Sequence, residues 1–240
     1  PNRPMSYRIL RPRPDNRLPL PYTTTYLLER PSASTSFLPL YRLYDAPHYS
    51  RPPAQPNPAF LYISHDSADA ELRDEPLVRE LFAANPDAVW YACDVSGIGD
   101  SRPNTCGDNS YATPYGCDYF YASHGIMLGR DYVRRRIGDV LLALQFIAEA
   151  RHENIHLVAK GYGAIPACFA AIIDGNVKQV TLKNALTSYG ELAGTDIYKW
   201  PLSSFAPNIL KYCDLPDVYR ELKKKGLRLI QPLGPTEKPA

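Results

Sequence analysis

Three apolar runs in this sequence end in residues that could do chemistry. The first ends Ser64-His65-Asp66-Ser67, and the second Asp94-Val95-Ser96-Gly97-Ile98-Gly99-Asp100-Ser101. The third runs Ala159-Lys160-Gly161-Tyr162-Gly163-Ala164. His65 beside Asp66 offers a general base with a carboxylate to orient it, or a loop imidazole bonded to backbone. Ser96, Ser101 and Ser123 are candidate acyl-transfer nucleophiles. None of them sits on a sharp strand-to-helix turn, the device that projects a nucleophile from a sheet. Lys160 is either an anion ligand or a solvated turn residue. Tyr198 and Trp200, in Tyr198-Lys199-Trp200-Pro201, could stack on a sugar, whereas Trp90 lies in an apolar run and reads as core. His124 either faces a pocket or packs near a following helix. Arg134-Arg135-Arg136 reads as a charged solvent face or a site for an acidic partner. No His, Cys, Asp or Glu cluster has metal-ligand spacing, and no cofactor is expected.

These residues need elements to position them. Apolar runs at 59–64, 88–94, 155–159, Val177–Lys183 and 227–231 read as buried strands. Helical periodicity covers 72–84, 132–150, Ala164–Ile173 and 216–225, clearest where Val133, Ile137, Val140, Leu141, Leu144 and Ile147 recur. Strands that alternate with helices predict a mostly parallel sheet covered on both faces. Upstream, Tyr22–Glu29 and Phe37–Tyr44 are rich in Thr and Tyr and read as two antiparallel edge strands. Residues 51–58, Arg-Pro-Pro-Ala-Gln-Pro-Asn-Pro, read as a stiff extended linker. The expected organisation is a Pro-rich segment at 1–58 and an α/β domain at 59–240. In an open sheet of this kind ligands bind beyond the carboxyl ends of the strands, which is where the three runs lie.

In order and spacing the runs resemble the α/β-hydrolase superfamily. The D-x-x-G-x-G-x-S run from Asp94 to Ser101 matches a frequent feature of that fold. The strand–turn–helix at Lys160-Gly161-Tyr162-Gly163 matches its nucleophile elbow. Leu61-Tyr62-Ile63-Ser64-His65-Asp66-Ser67-Ala68-Asp69-Ala70-Glu71-Leu72 looks like one bacterial group of acetylxylan-esterase-like hydrolases. So do Tyr121-Ala122-Ser123-His124-Gly125, residues 180–189 and Asp214-Leu215-Pro216-Asp217. The resemblance runs from about Ala59 to the end. It implies a longer protein with an upstream hydrolase-like part, of which this chain is the second, degenerate part.

The departure from the pattern is chemical. The elbow tip is Gly161, which has no side chain and cannot form an acyl intermediate. All five histidines, His48, His65, His124, His152 and His156, precede it, whereas the family places its base after the nucleophile. Beyond 227–231, where an acid is expected, only Glu237 follows. The last strand of the fold is expected to be missing, because the chain stops just after the penultimate one. What could survive is a vestigial oxyanion pocket formed by the Tyr162 N–H and the His65–Asp66 stretch.

Composition bounds the rest. A net charge of +2 over 240 residues gives no reason to expect nucleic acid. No apolar stretch is long enough to span a membrane. Of 24 prolines, 13 precede Ala59, and the chain opens Pro1-Asn2-Arg3, which suggests a trimmed or internal start. Cys93 and Cys168 read as buried packing residues, while Cys106 and Cys117 could pair or stay free. The expected role is a non-catalytic domain of a carbohydrate-esterase-like protein that supports or docks another hydrolase domain. The competing expectations are an active acetylxylan-esterase-like deacetylase with a non-standard or shared site, and a carbohydrate-binding module. Action on polysaccharide would favour a periplasmic or secreted location.

Overall fold

The computed structural model describes residues 5–30, 36–103, 118–152 and 154–238. The described strands form one nine-stranded sheet. At one edge lie β1 (Tyr7–Ile9) and β2 (Arg13–Pro14), both paired with β3 (Tyr22–Glu29), followed by β4 (Phe37–Tyr44). All of these pairings are antiparallel, as is the junction of β4 with β6 (Val89–Cys93). The parallel half follows as β6, β5 (Ala59–Ile63), β7 (Ile155–Lys160), β8 (Val177–Lys183) and β9 (Arg228–Ile230). The two expected N-terminal strands therefore join the same sheet as the parallel ones.

β5 is buried along its whole length, because helices cover both faces of the sheet. One face packs against α1 (Ala68–Asp74) and α2 (Pro76–Ala84) through Phe60, Tyr62, Trp90 and Val158. The other packs against α4 (Tyr132–Glu149), α5 (Ala164–Ile173) and α7 (Leu215–Leu222) through Leu61, Tyr91, Leu157 and Leu182. Two further helices are α3 (Asp118–Met127) and α6 (Tyr189–Ala193).

The helix expected over 72–84 is two helices. Pro76 takes the first turn of α2, and Glu75 before it is extended at φ −75° and ψ 116°. That is the conformation a following proline imposes, so it ends α1. The segment 51–58 is irregular, as expected, but tied down. The Gln55 N–H donates to the Ala150 carbonyl at 3.1 Å, and His152 Nδ1 bonds the Asn57 carbonyl at 2.8 Å.

Candidate functional site

The loops after β5 and β6 are held by two buried carboxylates. Glu71 of α1 turns back and accepts the backbone N–H groups of His65 at 3.0 Å, Asp66 at 2.8 Å and Ser67 at 3.3 Å. It also accepts the Tyr62 hydroxyl at 2.5 Å. Asp94 accepts the Ser64 hydroxyl at 2.7 Å, the Ala68 N–H at 2.8 Å, the Asp100 N–H at 3.1 Å and the Tyr41 hydroxyl at 3.1 Å. Burial pushes the Asp94 carboxyl above its ordinary value, with these donors working against the rise. Gly99 must be glycine, because its φ is +48° and a Cβ there would stand 2.2 Å from Asp94 Oδ2. The D-x-x-G-x-G-x-S run is thus a polar knot that fastens two loops together.

The third strand end carries the elbow. β7 stops at Lys160, Gly161 turns the chain at φ +50°, and α5 begins at Ala164. A Cβ on Gly163 would meet the Ser64 carbonyl at 2.5 Å, so glycine there allows the turn to press against the β5 end. At the tip, a Cβ on Gly161 would meet His65 Nδ1 at 2.1 Å. The imidazole occupies the space a nucleophile's side chain would need. The same Nδ1 accepts the Tyr162 backbone N–H at 3.2 Å, the donor an oxyanion would use. Burial pushes His65 below its ordinary 6.5, which favours the neutral ring that this acceptor role requires.

Tyr162 lies over the plug. Its ring centroid is 4.3 Å from that of His65 and 5.5 Å, edge-on, from that of Trp200. Its hydroxyl donates to Glu237 Oε1 at 3.1 Å. Glu237, the lone acid beyond β9, thereby reaches the elbow, as a partner of tyrosine rather than of histidine.

Several sequence expectations are corrected by this geometry. Asp66 does not orient His65; it is exposed and pairs with Arg102. Lys160 is neither solvated nor poised for an external anion. It and Lys183 both reach Glu75 at 2.5 Å. Burial works to raise the Glu75 carboxyl, but hydrogen bonds from the two lysines and the Leu77 N–H, with the Lys160 charge, together hold it below its ordinary value. Trp200 is only 1% exposed, with its indole N–H on the Gly234 carbonyl at 3.0 Å, so it has no open face for a sugar. Tyr198 is half-buried against Phe205 at 5.2 Å. The arginine triplet is not one solvent face: Arg136 is buried and donates to the Ser96 carbonyl at 2.9 Å. The reason is periodicity, since only Arg134 and Arg135 fall on the outer side of α4.

The three candidate serines are committed elsewhere. Ser96 donates to Asp139 at 2.6 Å, Ser101 to the Asp94 carbonyl at 2.7 Å and Ser123 to the Phe120 carbonyl at 3.0 Å. Of the histidines, His65 alone stands at the elbow. His48 stacks on Tyr44, His152 holds Asn57, His156 bonds Thr181 and His124 is exposed on α3. Trp90 stacks on Phe60 in the core, and Cys93 and Cys168 are buried. The proposed pairing of Cys106 with Cys117 lies outside the described residues. Among the described residues no cluster of three His, Cys, Asp or Glu could hold a metal, and no helix is long and apolar enough to cross a membrane.

Sequence reasoning missed the roles of Glu71 and Glu75, and gave Glu237 only as the lone acid beyond the last strand. Glu71 had a signal, because a glutamate four residues beyond a Ser67 helix cap is placed to face the preceding loop. Glu75 had none.

Neither a family model nor a curated protein matches the chain. Solved structures do. A Bacteroides fragilis protein assigned as an acetyl xylan esterase superposes with a TM-score of 0.72 at 13% identity over 98% of this chain. An acetyl xylan esterase from Paenibacillus sp. R4 superposes with a TM-score of 0.54 at 15% identity over 99% of this chain. The chain spans 64% of the first protein's length and 77% of the second's. The fold is that of the α/β-hydrolases.

Proposed function

We propose that this chain is a non-catalytic, degenerate α/β-hydrolase domain of a carbohydrate-esterase-like protein, which supports or docks a catalytic domain. One observation carries the reading: at the elbow tip, His65 fills the space of a missing nucleophile side chain and takes the Tyr162 N–H. Acyl transfer needs a nucleophile, a base that reaches it and a free donor for the oxyanion. Here the tip has no side chain, the one nearby imidazole occupies its place, and the donor is bonded. The likeness to acetyl xylan esterases supports the carbohydrate-esterase context.

An ester-hydrolysis assay with p-nitrophenyl acetate tests this. The chain is expected to read at buffer background. Turnover that survives purification and disappears in His65→Ala would show a working site built on that histidine, and would overturn the reading.

A further inference from the structure

The basic residues of this chain are segregated by type. No lysine precedes Lys160, so the first 159 residues carry arginine alone as their strong base. Seven of these arginines, Arg11, Arg13, Arg30, Arg102, Arg130, Arg134 and Arg135, line three cavities that share walls. A cavity of 290 Å³ by the β1 and β2 edge shares Phe37 and Asp100 with one of 310 Å³ beside the loop after β6. The latter shares Arg30 and Arg135 with one of 680 Å³ along α4. Together they make one groove from the sheet edge to the outer face of α4.

Among the described residues, the carboxylates that line the groove are already engaged. Asp139 takes Arg30 at 2.6 Å and both the N–H and hydroxyl of Ser96. Asp131 caps α4 through the Arg134 N–H at 2.8 Å, and Asp100 takes the Tyr41 hydroxyl at 2.7 Å. Arg102 is offset by Asp66, and Arg13 lies 3.9 Å from Asp69. By contrast, the side chains of Arg134 and Arg135 reach neutral acceptors, the Gly129 carbonyl and the Ser36 hydroxyl, each at 3.4 Å. Both are exposed, as are Arg130 and Arg11, so the groove has an excess of outward guanidinium charge.

We propose that this groove docks an acidic segment of another polypeptide, one in which carboxylates alternate with apolar side chains. Guanidinium forks match carboxylates in bidentate geometry, and a positive groove raises the local concentration of acidic partners. At its two ends the groove has apolar walls between the arginines, Leu27 and Pro39 at one end and Leu141 at the other. They suit the intervening side chains of a peptide. An acidic polysaccharide would bring carboxylates but nothing for those walls, and the Phe37 face is covered by the Arg8 guanidinium at 4.9 Å. The groove does not include the elbow, so this inference stands whether or not the elbow is active.

The test is fluorescence anisotropy on the whole chain at low salt, with a labelled peptide of alternating glutamate and leucine. The comparison probes are a lysine–leucine peptide and an oligogalacturonate. The acidic peptide is expected to bind, with affinity reduced about tenfold or more by Arg134→Glu with Arg135→Glu, and weakened by added salt. Lys211→Glu with Lys223→Glu makes the same charge change at other exposed positions and is expected to leave binding unaltered. If the double arginine variant does not fold, Arg130→Glu alone is expected to weaken binding in the same direction. Absence of binding, equal loss in the lysine variant, or tighter binding of oligogalacturonate would overturn the proposal.

Discussion

The strand ends of this sheet are fastened in two different ways. The knot after β5 and β6 keeps each of its named parts bonded: Asp94 ties Ser64, Ala68, Asp100 and Tyr41 together, and Glu71 holds three successive backbone N–H groups. The elbow after β7 turns with Gly161 at φ +50° and Gly163 pressed on β5, and its tip carries no side chain. The turn itself therefore needs no side chain at its tip. A left-handed residue at the tip and a small residue behind it are enough to pass from strand to helix. Once the tip is glycine, the neighbouring loop can fill the space with His65 and satisfy the Tyr162 N–H.

The comparison can be broken at several points. The largest effect is expected in the knot. Asp94→Ala strands several buried donors and opens a cavity, and is expected to cost about 3–5 kcal/mol in denaturant unfolding. A cost under about 1 kcal/mol would mean that the knot is ornamental. Next comes the elbow tip. Gly161→Ser is expected to cost about 2–4 kcal/mol, from left-handed backbone and overpacking against His65, without raising esterase activity above background.

A smaller effect is expected from pH. His65, His152 and His156 all sit below 6.5 in the fold, His156 at about 4. The unfolded chain therefore binds more protons on the acid side. Their contribution to stability is complete above 6.5 and is lost as pH falls through the folded-state values. His65→Gln keeps an acceptor for Tyr162 but cannot titrate in this range. It is expected to flatten the fall in unfolding free energy below pH 6.5, and an unchanged slope would show that His65 is not held neutral. The smallest effect is expected at the exposed Asp66. Asp66→Asn is expected to change stability by less than about 1 kcal/mol, as for surface ion pairs in general.

Much of the fold is legible in the sequence because its signals are local. The limits of β3, β4, α5 and β8 coincide with apolar periodicity bounded by Pro, Ser or Gly. The break between α1 and α2 is equally local, written in Pro76, but the apolar periodicity over 72–84 runs straight across it. The short β1 and β2 and the helix α3 carry weak patterns, and only their tertiary pairing makes them regular. At the site, the bare elbow tip at Gly161 is legible without any structure. The plug is not, because His65 meets Gly161 across nearly a hundred residues of chain. The same holds for Arg136, whose buried partner Ser96 comes from another strand end, and for Glu75, shared by Lys160 and Lys183.

His65 and any side chain at position 161 compete for one space, since a Cβ on Gly161 would lie 2.1 Å from His65 Nδ1. A double-mutant cycle of Gly161→Ser and His65→Ala, read by denaturant unfolding, tests it most directly. Removing the imidazole makes room for the serine, so the double variant is expected to be more stable than the sum of the single costs predicts, by about 1–2 kcal/mol. Additivity to within about 0.5 kcal/mol would mean that the two positions do not compete for space and that His65 does not fill the elbow tip.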